Sequence, residues 1–120
     1  MDLISFEDFK KVEIRIGKIV AVEALPDSNK LLKLQVDFGV AAFAQGSGEP
    51  REQRQILAGI AKFYTPEQLM GKLCPFAFNL APKKMGEYES QGMMLCADSG
   101  DGGPILMHPD KEIPLGSLIK

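Results

Sequence analysis

Two stretches carry residue types suited to holding a phosphorylated, hydroxyl-rich ligand. Asn79-Leu80-Ala81-Pro82-Lys83-Lys84 sets two lysines in a turn after an apolar run, and Ser90-Gln91-Gly92-Met93 follows just before the next apolar run. Ammonium groups, amides and a hydroxyl can meet phosphate and sugar oxygens. Gly92 would let a ligand backbone approach closely, and Met93 would offer a flexible apolar surface to a base or ribose. A second group is Asn29-Lys30, with Lys33 and Arg54 on neighbouring strands. The plainer readings are a solvated loop, whose lysines only keep the protein in solution, and an ordinary polar outer face.

Catalytic readings fail on inspection of the same inventory. His108 is the only histidine, and it sits in the turn-like His108-Pro109-Asp110. Cys74 and Cys96 both lie inside apolar strand patterns, which marks them as buried structural thiols rather than nucleophiles. Cys and His do not cluster at zinc-ligand spacing. Ser90 lies outside any G-x-S-x-G elbow, and the glycines do not follow phosphate-loop order. Gly100-Asp101-Gly102-Gly103 lacks the regular acidic ligands of a calcium loop and reads as a turn. The expectation is a binding protein with no catalytic residues, metal or cofactor.

The elements that must position these residues are mostly strands. Val12 to Ile16 alternates apolar and polar residues, and Val20 and Val22 continue the even-numbered face. Lys18 interrupts that face beside Gly17, which predicts a bulge or bend there. Leu32, Leu34, Val36 and Phe38 share one face of the clearest strand, with Lys33, Gln35 and Asp37 on the other. Residues 54–61 read as a third, more fully buried strand, 73–80 as a fourth and 92–97 as a fifth. Pro75 implies that the fourth is an edge or carries a bulge. One helix is well marked: Thr65 caps it, Pro66 opens it, Gln68 completes a capping box and Gly71 ends it. The segment Phe6 to Lys10 predicts one helical turn with Phe6 and Phe9 packed inward. Gly39 to Pro50 reads as a long loop. Five strands with a short helix between the third and fourth is the element order of an OB-fold, a five-stranded Greek-key barrel, here with N- and C-terminal extensions; pattern alone leaves another small β-barrel open. In an OB-fold the loop before strand two and the loop between strands four and five can meet at one end of the binding groove.

The chain has 120 residues, 45% hydrophobic and 25% charged, which predicts one globular domain over 1–120. Its first residues lack the basic start and apolar run of a signal peptide. No apolar stretch has membrane-spanning length, and two cysteines suit a reduced cytoplasmic protein. The net charge is −2, so a basic footprint must be local, affinity for a polyanion modest and its salt dependence shallow.

With these residues in place, the chain resembles the tRNA-binding domain found at the C-terminus of many methionyl-tRNA synthetases and in free-standing structure-specific tRNA-binding proteins. The resemblance runs through Phe9-Lys10-Lys11-Val12-Glu13-Ile14-Arg15-Ile16-Gly17-Lys18-Ile19, Pro26-Asp27-Ser28-Asn29-Lys30-Leu31-Leu32 and Arg54-Gln55-Ile56-Leu57-Ala58-Gly59-Ile60. It continues in Tyr64-Thr65-Pro66-Glu67, Asn79-Leu80-Ala81-Pro82-Lys83, Glu89-Ser90-Gln91-Gly92-Met93 and Pro114-Leu115-Gly116-Ser117. It implies an OB-fold homodimer that binds tRNA by shape, with Asn29, Lys30, Asn79, Lys83, Ser90 and Met93 serving the site. The reading of the residues themselves adds Lys33, Lys84 and Gln91. The resemblance also implies pairing through the termini, near Phe6–Phe9 and Leu115–Ile119, and a possible synthetase partner. The chain departs from the pattern in a longer loop at 40–52 and in its low pI, about 5.4. A related branch of secretion-associated chaperones supplies the alternative: a protein-binding adaptor of the same fold.

Overall fold

A computed structural model describes residues 1–40 and 51–120. The clear alternation of residues 32–38 becomes β2 (Leu32–Val40), and Leu32, Leu34, Val36 and Phe38 form the centre of the core. On one side β2 pairs antiparallel with β1 (Ile14–Ala24), on the other with β3 (Arg51–Ala58). β1 also pairs with β4 (Leu73–Ala77), which pairs with the short β7 (Met93–Met94). The result is a curled antiparallel sheet in the order β3-β2-β1-β4-β7, the arrangement expected of the OB-fold order. Gly39 and Val40, expected in the loop, belong to β2, and Arg51 and Glu52 to β3; the rest of the expected loop, 41–50, lies outside the described residues.

Between β4 and β7 the chain makes a two-stranded hairpin, β5 (Lys83–Met85) and β6 (Tyr88–Ser90). β8 (Cys96–Asp98) and β9 (Pro104–Leu106) form a second hairpin, and β10 (Leu118–Ile119) pairs with the start of β1. The expected fifth strand, 92–97, is thus two strands with different partners. Pro75 explains the break. It lies inside the sheet, between β1 and β7, rather than at an edge, and no register shift falls at it. Its carbonyl accepts the Leu95 N–H at 3.1 Å, but its ring nitrogen cannot return a bond. Pairing with β4 stops there, and the chain turns to β9.

The phase disturbance in β1 is real, and it lies beyond Gly17. The register against β2 shifts between Ile19 and Ala21, so the main core cluster takes the odd-numbered Ile19 before the shift and packs the even-numbered Val22 after it. Gly17 serves close packing: a Cβ there would lie 2.5 Å from Val36 Cγ1 and 2.8 Å from Phe38 Cε1.

The helix is α2 (Pro66–Leu69), with both capping-box bonds formed between Thr65 and Gln68. Its Leu69 enters the core, and Gly71, at φ +80°, donates its N–H to Ile19 O at 2.8 Å. The N-terminal turn also forms, as α1 (Phe6–Phe9), but Phe6 and Phe9 do not pack inward. They are 72% and 46% exposed, because the turn precedes β1 and has no sheet face beneath it.

Candidate nucleic-acid interface

The β1–β2 connection and the chain between β4 and β7 meet at one cleft, through residues beside the expected ones. The β1–β2 connection and the tip of the β5–β6 hairpin face each other across a cleft of about 290 Å³, with Leu25, Ser28 and Leu31 on one wall and Met85 and Tyr88 on the other. Gly86 at φ +64° makes the tight hairpin turn that places Tyr88 there. Lys33 joins the two sides. Its Nζ is 2.9 Å from Glu23 Oε1 and 5.5 Å from the Tyr88 ring centroid. The hydrogen bond that Lys33 donates to Glu23 is the main reason its ammonium is held above its ordinary pKa. Asn29 and Lys30 are exposed on the β1–β2 side, and Lys83 and Lys84 on the hairpin. Among the described residues Lys30, Lys83 and Lys84 carry no ion pair. Asp27 and Glu87 also line the cleft, and Glu89 is the cross-strand neighbour of Lys84. The local field is therefore mixed rather than strongly basic.

Three expected site residues make internal bonds, Ser90 from a buried position and Asn79 and Gln91 while remaining exposed. Asn79 accepts the Glu13 N–H at 2.7 Å and donates to Lys11 O at 2.6 Å, which pins the chain before β1 to the end of β4. Ser90 is 3% exposed; its hydroxyl accepts the Leu57 N–H at 3.0 Å and donates to Gly92 O at 2.9 Å. Gln91 accepts the Gln55 N–H through its side chain at 2.9 Å, while its own N–H goes to Gln55 O at 2.8 Å. The close approach at Gly92 is to the protein itself: a Cβ there would lie 2.9 Å from Ala77 O.

Met93 is 49% exposed. It stands on the rim of an apolar cleft of about 660 Å³ that also includes Leu57, Phe63, Met85, Cys96 and Pro104. Arg54 does not join the Lys33 group. It lies opposite Val36 on the core face of β3, with its guanidinium 3.5 Å from the Phe78 ring centroid. The hairpin and Tyr88 escaped the sequence reading. Their only signal was Gly86 between two short polar runs, which lack the apolar alternation that marks a strand.

Comparison with known proteins agrees with this architecture. The model of a putative tRNA-binding domain matches residues 14–118. A methionine–tRNA ligase of Pyrococcus horikoshii is 41% identical over 120 residues, all of this chain and 15% of the ligase. The chain thus spans a small part of the curated relatives it matches. A MetRS-related protein from Pyrococcus horikoshii superposes with a TM-score of 0.86 at 36% identity, covering 100% of both chains. The chaperone CsaA from Bacillus anthracis superposes with a TM-score of 0.82 at 27% identity, covering 99% of this chain and 100% of CsaA. With its sequence matched from β1 to β10 and its fold shared end to end, the chain belongs to the tRNA-binding domain family.

Proposed function

We propose that this chain is a non-catalytic domain that grips folded tRNA by shape, in the cytoplasm, as one unit over residues 1–120. The observation that carries the reading is the meeting of the β1–β2 connection with the lysine-bearing hairpin. On this reading Lys33, beside Tyr88, and the exposed Lys30, Lys83 and Lys84 on the two flanking segments supply the phosphate contacts, without an array of base-reading side chains. Asn29 and Met93 extend this surface, the exposed Asn79 and Gln91 fix the chain beside it, and the buried Ser90 supports it from beneath. Few lysines and a net charge of −2 mean that few phosphates are neutralised, so shape supplies the selectivity. The domain serves translation as a counterpart of the region it matches in methionine–tRNA ligases.

The test is a fluorescence-anisotropy titration of mixed tRNA at several salt concentrations, with duplex DNA and unstructured RNA as competitors. Saturable binding displaced only by folded tRNA is expected. Lys30→Ala with Lys83→Ala should weaken it and reduce the salt slope by on the order of 0.7–0.9 per lost contact. Undiminished affinity in that pair would remove the site, and absence of binding at low salt would remove the function.

A second reading, a protein-binding adaptor or chaperone, is favoured by the apolar cleft rimmed by Met85 and Met93 and by the likeness to CsaA. Methionine-rich rims suit adaptable partners. Suppression of model-substrate aggregation, unaffected by added tRNA, would favour it.

A further inference from the structure

The segment carrying Lys83 and Lys84 leaves the sheet at Phe78 and rejoins it at Gln91. One side chain holds both of these points. Arg54 Nη1 donates to Phe78 O at 2.5 Å and to Gln91 O at 3.2 Å. Its Nε donates to Glu52 Oε2 at 3.1 Å, so a carboxylate already faces its charge. The guanidinium is stacked on Phe78, and the side chain is 23% exposed.

The neighbouring edge of β3 is closed by the same returning segment. Its Gln55 and Leu57 N–H groups are met by the Gln91 and Ser90 side chains, and Gln55 Nε2 donates to Glu89 O at 3.0 Å. A two-stranded hairpin with three-residue strands has little stability of its own. Its position beside β3 therefore depends on how its ends are tied.

We propose that Arg54 is a positioning residue for RNA binding: with Ser90, Gln91 and Gln55 it forms a clasp that ties both ends of residues 78–91 to β3 and sets the reach of Lys83 and Lys84. This rests on the reading of those lysines as tRNA contacts. Arginine is required because its planar fork can stack on Phe78 while reaching two carbonyls, whereas lysine presents a point charge.

Two measurements on the full chain test it. The first is amide hydrogen exchange of Arg54→Lys and of Gln55→Ala, the latter removing one clasp bond without touching a charge. Faster exchange confined to 79–92, with β1 and β2 unchanged, is expected; unchanged exchange in 79–92 would overturn the clasp. The second is tRNA affinity in a cycle with Lys83→Ala/Lys84→Ala. Arg54→Lys should weaken binding at least fivefold in the parent and less than twofold in the lysine-less background. Additive losses, or full binding by Arg54→Lys beside loss in Arg54→Met, would make Arg54 a direct phosphate contact and overturn the proposal. If Lys83→Ala/Lys84→Ala by itself leaves affinity unchanged, the tRNA reading of the hairpin fails and takes the binding role of Arg54 with it. The exchange arm then still shows whether the clasp exists.

Discussion

Cys74 lies buried in β4 with its Sγ 3.8 Å from His108 Nδ1, yet the pair is not arranged for nucleophilic chemistry. Nδ1 stands 2.7 Å from Leu73 O; a carbonyl only accepts, so that nitrogen carries the proton and is no base. Burial, reinforced by nearby Cys96, pushes the Cys74 thiol from 9.0 to about 12. Burial also raises the Cys96 thiol. Between pH 9 and 12 the unfolded chain releases a proton that the folded chain keeps. Stability is then complete below pH 9 and falls as pH rises, by at most about 1.4 kcal/mol per pH unit for one proton. Urea unfolding between pH 8 and 11 should show this decline, and Cys74→Ala should flatten it; an equally steep decline in the variant would exclude Cys74 as its source. Asn79 and Ser90 teach the same lesson: residue type advertised ligand chemistry, but both side chains bond their own backbone.

The elements divide by how local their causes are. α2 was legible to the residue because its cap, proline and terminating glycine act within one turn. Its tertiary task rests on Leu69, fully buried among the strands. Leu69→Ala should destabilise the fold by about 2–5 kcal/mol, read as a lower urea midpoint with tRNA contacts untouched; a change under 1 kcal/mol would mean the site collapses around the loss. The β5–β6 hairpin was not legible. Its strands are polar and short, and they are held by bonds to β3, which is far away in sequence.

For the whole molecule, apolar side chains are left exposed at both ends of the chain, and the Ile14–Ile119 pairing brings the tail beside the start of β1. Sedimentation velocity should show a dimer, and Phe6→Ser/Phe9→Ser should give a folded monomer. A monomeric parent at micromolar concentration would exclude pairing through the termini. The curled sheet itself followed from alternation: a period-2 pattern such as Leu32 to Phe38 can bury its face in only one way. Sequence alone determined β2 and the capped helix, because these depend on neighbours within a few residues, and the family, because its motifs recur in order along the chain. It did not determine which polar side chains face a ligand. Ser90 and Gln91 bond N–H groups on the edge of β3, Asn79 bonds the chain before β1, and Arg54 bonds the Phe78 and Gln91 carbonyls, and those partners are brought within reach only once distant strands have met.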